Sequence, residues 1–379
     1  MDKIKKALLE MPVSINCYYG DPTLQWENTM EKLRKLEEVG HLGPVSIITR
    51  GTIDSDRAKE LAKLKLPGLV VMYSISELPK KLEPLGHKHR YESISNLIRE
   101  GVKVFAAVRP MTPPYNTTPE IVNKIFSNLK NAGCKIACVS GFRGDSSLIE
   151  QVNPDNAIEW TLRVKQMTGF DMILETAKAY DIRVFTRVNC TVSYLTGRKK
   201  PFNPYWGSPQ LVRCDAIECP LRDTCGPVEP DRDIMKWLED VVGYELEYEP
   251  DSKKTCSYAT DTRLNCVSCC TTCFVQKQPR VIVKNAKTLG DLAFCRFVLG
   301  GTLCIKDGMV DGGGKDVGHV TKIQEKTKFP VHTINSWFVW ATQLKKCFDC
   351  RYCISTLYPN KELVGCPPVE LLKFFPSKN

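Results

Sequence analysis

As far as residue 190 the chain alternates short apolar runs with longer amphipathic stretches. The runs at 13–17, 45–48, 69–73, 102–108, 135–140 and 182–188 have the length and β-branched character of strands. Between them, 24–39, 54–64, 90–100, 118–132 and 157–180 repeat apolar residues at helical spacing, as in Met30, Leu33 and Leu36 or Ile121, Ile125 and Leu129. Glycine or proline marks most junctions, including Gly20-Asp21-Pro22, Gly43-Pro44, Pro67-Gly68, Gly101 and Gly133. Alternation at about 30 residues per unit is the mark of βαβ crossovers and a parallel sheet. Six such units predict an α/β fold, a partial (βα)6 TIM-like barrel.

Near residue 200 the pattern changes. Residues 195–210 (LTGRKKPFNPYWGSPQ) are basic, aromatic and proline-bearing, as in a linker or an exposed loop. Beyond Cys214 cysteines rather than periodicity organise the chain. The expected division is a partial barrel over 1–200 and a smaller Cys-rich metal-binding domain over 201–379. Of 18 cysteines, four precede residue 201 and fourteen follow it. The opening MDKIKKALLEMPVSI is interrupted by Glu10 and Pro12, unlike a secretory signal, and no apolar run reaches the ~18 residues that span a bilayer. The expected setting is a reducing, low-oxygen cytoplasm in which the thiols serve as metal ligands rather than as disulfides.

Three cysteine groups stand out. Cys347, Cys350 and Cys353 form C-x2-C-x2-C (CFDCRYC), with Cys366-Pro367 downstream as a fourth ligand, the run of a ferredoxin-type [4Fe-4S] cluster. Zinc uses the same thiolates, more often as two separated C-x2-C pairs, and stays open as an alternative. Cys266 and Cys269 make one C-x2-C pair, and Cys270 and Cys273 (CVSCCTTC) make another directly after it. Cys214, Cys219 and Cys225 (CDAIECPLRDTC) are more widely spaced, with Cys256 or Cys304 as the expected fourth ligand. Two or three metal centres are expected. Cys134, Cys138 and Cys295 read as small apolar residues within the core.

The formal charge is +10. A four-thiolate centre carries about −2, so three of them would leave about +4 and weaken any argument for a polyanionic partner. A basic-aromatic loop at 197–206 keeps nucleic acid open as a partner of a non-catalytic alternative. The run DGMVDGGGKDVGHV (307–320) lacks the spacing of a phosphate-binding loop and reads as a turn, and NSWFVWATQLKK (335–346) reads as aromatic shielding for the neighbouring thiols.

VSINCYYGDP (13–22), GHLGPVSIITRG (40–51), SISELPKKLEPLGHKHRYESISNLIREGV (74–102), VRPMTPPYN (108–116) and VSGFRGD (139–145) together resemble the radical S-adenosylmethionine (SAM) superfamily, in particular the spore photoproduct lyase and DNA-photolyase-like branch. The most specific elements are Leu82-Glu83-Pro84 followed by His87, His89 and Arg90, then R-P-x-x-P-x-Y-N ending at Asn116. The resemblance covers residues 12–190. It implies a SAM-cleaving [4Fe-4S] cluster, auxiliary clusters in the C-terminal half, and an electron donor such as a ferredoxin or flavodoxin. The superfamily's C-x3-C-x2-C loop is degenerate here. With Cys17 in its third place, the first two fall on Glu10 and Ser14, so either the SAM-binding cluster is absent or another triad, such as that of CFDCRYC, caps the barrel.

Chemistry on such a barrel sits at the carboxyl ends of the strands. That rim is expected to hold Asn16, Cys17, Thr49, Arg50, Ser74, Ser76, Arg109, Ser140, Arg143, Arg187 and Asn189. Cys17, Arg109 and Arg143 are the expected catalytic residues, and Asn16, Thr49, Ser74 and Ser140 the expected cofactor contacts. Arginines gathered there suit a small anionic or nucleotide-like substrate held bidentately. In the opposing reading, Asp21, Glu83 and Asp145 take the arginines and merely fix loops, while His87 and His89 are structural. A redox enzyme that uses the clusters without SAM is a further alternative.

Overall fold

A computed structural model places a strand at each of the six apolar runs. It describes residues 3–15, 21–83, 86–112, 115–141, 169–198, 214, 216–225, 228–250, 280–284, 295–296 and 298–306. Strands β1 (Val13–Ile15), β2 (Val45–Thr49), β3 (Leu69–Ile75), β4 (Val104–Met111), β5 (Ile136–Gly141) and β6 (Arg183–Phe185) form one parallel sheet in chain order. Helix α1 (Lys3–Leu9) precedes β1. Helices α2 (Trp26–Glu38), α3 (Ser55–Ala62), α4 (Lys88–Arg99), α5 (Pro119–Asn131) and α6 (Phe170–Ala179) connect successive strands, and α7 (Val188–Leu195) follows β6.

Consecutive order has a geometric consequence. Each crossover is right-handed and steps one strand in the same direction, so every connecting helix falls on one face of the sheet. This is the winding of an arc of a barrel; a doubly wound sheet would carry helices on both faces. The strands show the resulting two-sidedness. Val45, Ile47, Leu69, Val71, Tyr73, Val104, Ala106, Val108, Ala137 and Val139 join the core formed with the helices. Their alternates Val70, Met72, Phe105, Ala107 and Cys138 belong to a second apolar cluster on the inner face.

The inner cluster is completed from beyond residue 200. Helix α8 (Arg232–Val242) supplies Ile234, Met235 and Leu238, and strands β7 (Leu246–Glu249), β8 (Arg280–Val283) and β9 (Leu303–Lys306) supply Leu246, Val281, Val283 and Cys304. These strands form a small sheet in which β7 is antiparallel and β9 parallel to β8. None of the three was predicted, because cysteines and charges mask their periodicity. The inner face of the arc is therefore a packed core up to the level of Ala107 and Cys138.

Helix ends follow one scheme. Helices α4 and α5 stop where Gly101 (φ 76°) and Gly133 (φ 79°) turn left-handed, and the next amides, Val102 and Cys134, close 2.9 Å bonds to the carbonyls of Leu97 and Leu129. The following residues then enter β4 and β5, so the glycines set where each strand begins. Thr118 caps α5 with Pro119 behind it, and Asp54 caps α3. One sequence expectation fails locally: 182–188 reads as a strand, but β6 ends at Phe185 and Val188–Leu195 is helical. Its β-branched residues pack as a helix against β5 and β6, so tertiary contacts override propensity.

At the end of α2, Gly40 (φ 69°) turns the chain so that the His41 amide bonds the Leu36 carbonyl at 3.0 Å and the imidazole is buried at 1% exposure near the Met11 backbone. Burial depresses its pKa from 6.5 to about 3, so the ring is neutral in the folded chain. The unfolded chain takes up a proton near the ordinary value. This stability is fully present above pH 6.5 and is lost as pH falls below it. We expect the urea midpoint to fall between about pH 7.5 and about pH 5, with a slope from His41 alone of up to about 1.4 kcal/mol per pH unit. His41→Gln should flatten that dependence, and an unchanged slope would remove His41 as its source.

Candidate functional site at the carboxyl rim

The loops at the carboxyl ends of β1 to β4 are tied together by two carboxylates. Asp21, entering the short 3-10 turn Pro22–Gln25, accepts from the amide and hydroxyl of Thr23 at 2.9 and 2.7 Å. Across the loop it accepts from the Thr49 hydroxyl, from the Arg50 amide at 2.6 Å and from the Gly51 amide at 3.2 Å. The 49–51 turn is gripped from two further sides. Tyr73 donates to the Gly51 carbonyl at 3.0 Å, and His89 Nε2 lies 2.8 Å from the Arg50 carbonyl. A methyl group on Gly51 would stand 1.9 Å from Thr23 Oγ1, so only glycine allows this approach. Burial raises the Asp21 pKa, but the amides and hydroxyls around the carboxylate outweigh it and hold the group below its usual range.

Glu83 is the second anchor. Its Oε1 accepts from Arg90 Nη2 at 2.6 Å, and its Oε2 accepts from the Ser76 hydroxyl. Arg90 is fully buried on α4 and also donates from Nη1 to the Ser74 carbonyl at 2.9 Å. Arg50 Nη1 stands 3.7 Å from the same carboxylate, and His87 Nε2 stands 3.9 Å from it. Burial raises the Glu83 pKa, but Ser76 and Arg90 more than offset it and the group stays ionised. Asn116 extends the frame to β4. Its amide donates to the carbonyls of Ser76 and Pro110, and its Oδ1 accepts from the Thr112 amide at 2.6 Å. The Arg109–Pro110 peptide bond is cis.

The motif residues thus act mainly as a brace. Glu83, His87, His89 and Arg90 of the 82–90 segment and Asn116 of R-P-x-x-P-x-Y-N all hold loop backbone or each other. The reading in which carboxylates take arginines and fix loops holds for Glu83, which takes Arg90 and stands near Arg50. Asp21 instead fixes its loops through hydroxyls and backbone amides rather than through a guanidinium, and His87 and His89 pack as structural residues. Thr49 requires a correction as a cofactor contact. It alternates with Val45 and Ile47, is 1% exposed, and gives its hydroxyl to Asp21. The parity of Val45-Ser46-Ile47-Ile48-Thr49 already carries that information.

Two predicted residues share one face, with a third beside them. Ser74 alternates with Val70 and Met72, and Ser140 with Ile136 and Cys138, so both continue the inner face toward the carboxyl ends of their strands, while Arg109 lies on β4 between them, where the strand shifts register after Val108. Val108 pairs with Val139, so Arg109 and Ser140 are the next residues on their strands. Both are half-buried, whereas Ser74 is 4% exposed. Asn16, Cys17 and Arg143 lie outside the described residues.

A superfamily-type cluster does not fit its usual loop. Ser14 lies within β1, buried and in register with Ser46, with the two hydroxyls 3.4 Å apart, and Glu10 precedes the strand at its amino end. Neither position can bring a thiolate to the carboxyl rim.

Of the predicted metal ligands, Cys214, Cys219, Cys225 and Cys304 are described, none of them in a disulfide. Cys256, Cys266, Cys269, Cys270, Cys273, Cys347, Cys350, Cys353 and Cys366 lie outside the described residues. Among those described, no three His, Cys, Asp or Glu side chains already converge tightly enough to hold a metal ion. Cys214 and Cys219 share a side-chain hydrogen bond, and both are close enough to Cys190 on α7 to interact electrostatically with it, as is Cys225. Cys304 is corrected as a fourth ligand of that group. It is 8% exposed in the inner apolar cluster, its thiol faces the Thr302 carbonyl at 3.6 Å, and its charged neighbour is Arg296. Cys134, Cys138 and Cys295 pack in the apolar clusters as expected.

A separate groove of about 280 Å³ lies at the amino end of the strands, lined by α1, Pro12, Arg198, Val228 to Asp231 and Leu299. Positions at that end of a barrel serve stability rather than chemistry. No helix of the described residues is long and apolar enough to cross a membrane.

No family model and no curated protein matches the chain. Among solved structures it is similar to SuiB of Streptococcus suis, at 12% identity over 44% of this chain and 36% of that one, with a TM-score of 0.32. SuiB bound to S-adenosylmethionine aligns at 16% identity over 34% and 29% of the two chains, with a TM-score of 0.27. SuiB bound to precursor peptide SuiA aligns at 15% identity over 42% and 34%, with a TM-score of 0.30. The chain thus spans little more than a third of SuiB's length.

The brace makes a sharp energetic prediction. Arg90→Met leaves the Glu83 carboxylate buried without its main partner, a loss of about 3–5 kcal/mol. Arg90→Met combined with Glu83→Leu should lose clearly less than the sum of the single changes in a denaturant titration. Strict additivity would show that the pair is not coupled.

Proposed function

We propose that the chain is an iron–sulfur enzyme on a half-barrel of the radical SAM type. Its substrate is a small anionic or nucleotide-like molecule bound at the carboxyl rim, and its clusters are held by cysteines of the C-terminal half. The observation that carries this reading is the placement of Ser74, Arg109 and Ser140 at the carboxyl ends of the adjacent strands β3, β4 and β5, behind a rim braced by Asp21 and Glu83. An arginine backed by hydroxyls, above an apolar floor of Phe105 and Ala107, provides directed donors for an anion and excludes water from below. The cysteine runs of 201–379 supply the thiolates for [4Fe-4S] centres, and a ferredoxin or flavodoxin is the electron donor that suits them.

S-adenosylmethionine belongs to this reading only through a cluster built outside the loop after β1, because Glu10 and Ser14 supply no thiolate. CFDCRYC is the run with the right composition. A cytoplasmic, low-oxygen setting follows from the same thiols.

The test is iron, acid-labile sulfide and zinc on anaerobically purified full-length protein, with Cys347→Ala/Cys350→Ala/Cys353→Ala beside it. About eight to twelve irons with matching sulfide, falling by about four in the triple variant, are expected. Cleavage of SAM by the reduced protein should be lost in that variant as well. Stoichiometric zinc without sulfide would overturn the iron–sulfur reading, and a full iron complement without SAM cleavage would leave a SAM-independent redox enzyme.

A further inference from the structure

Cys190 is not part of any cysteine run in the sequence. It lies 24 residues before Cys214, within the apolar helix VNCTVSYL. In the fold it stands beside α6 and β6, on which the segment bearing Cys214, Cys219 and Cys225 is docked.

That docking is specific. Ile217 packs against the helix-side core and Leu221 is buried at 7% exposure. Glu218 pairs with Lys178 of α6 at 3.8 Å, and Arg183 of β6 acts electrostatically on Cys219. Within the segment, Glu218 takes a left-handed conformation (φ 47°), which lets the Cys219 amide return to the Cys214 carbonyl at 3.0 Å. A short 3-10 turn, Arg222–Thr224, then brings Cys225 back, its amide bonding the Arg222 carbonyl at 3.2 Å. Each turn shortens the path between successive cysteines, so three thiols spread over twelve residues are brought near one another. Cys190 completes the set: it interacts with Cys225 and Cys219, and Cys214 interacts with all three.

We propose that Cys190, Cys214, Cys219 and Cys225 form one four-thiolate metal centre that fastens the start of the C-terminal half to the last βα unit of the half-barrel. This deepens the reading of the third cysteine group as metal ligands and rests on it. The occupant is a thiophilic metal centre, either one zinc ion or one iron–sulfur cluster, since both take four cysteine sulfurs. Arg183 and Arg187 are the cations nearest the set and partly balance its negative charge. The thiols are gathered but not drawn to a common point, so binding closes the last separation and couples metal affinity to the docking of the segment.

The experiment uses full-length chain purified anaerobically, with iron, sulfide and zinc measured per chain for Cys190→Ser, Cys219→Ser, Cys256→Ser and Cys304→Ser. Loss of the same one centre, about four irons or one zinc, in both Cys190→Ser and Cys219→Ser but in neither of the others supports the proposal. Loss in Cys219→Ser and Cys256→Ser with full retention in Cys190→Ser overturns it and leaves the ligand reading standing. A native protein without any metal or cluster overturns both together. Cys190→His guards against a simple folding defect, since imidazole can replace one thiolate. Its centre should return with an altered absorption spectrum, and a Cys190→His chain that is folded by circular dichroism but still lacks the centre counts against the assignment.

Discussion

Everything in this fold depends on a sheet wound in a single direction. Six parallel strands in chain order put all their connecting helices on one side, and the other side must find its cover elsewhere. A complete barrel covers that side with itself. An arc of six cannot, and Val70, Met72, Phe105 and Ala107 would face water. Helix α8 and the small β7–β9 sheet take that place. The described elements between 232 and 306 are thus part of the barrel's interior, and they cover the inner face below the top of the strands.

At that top, charge is used as carpentry. Asp21 collects five donors from two segments, and Glu83 holds a buried arginine that in turn holds the backbone of β3. Both carboxylates remain ionised because their partners more than offset burial. The brace leaves Arg109 and Ser140 half-buried at the ends of β4 and β5 while fixing the loops around them. The motif that suggested chemistry here is, residue by residue, mostly the frame around the chemistry.

The half-barrel was legible because its signals are local. Apolar runs of strand length, helical spacing and glycines at 101 and 133 each act within a few residues. Thr49 was misplaced although the alternation of β2 carries its direction. Helix α7 was misread because β-branched residues favour strand until packing against β5 and β6 decides otherwise. The partnership of Cys190 with Cys219 and Cys225 has no local signal at all. It arises from two turns and a docked segment, and spacing along the chain cannot express it.

The lengths of the strands have a consequence for association. β1 and β6, at the two margins of the arc, are three residues long, whereas the interior strands run from five to eight. A margin of that length offers little backbone for another chain to template upon, and β6 begins with the exposed charge of Arg183. An open arc with long, flat margins would invite a neighbour to continue it into a fibre. Here, among the described residues, the hydrogen-bonding ladder tapers at both sides and leaves a short margin at each.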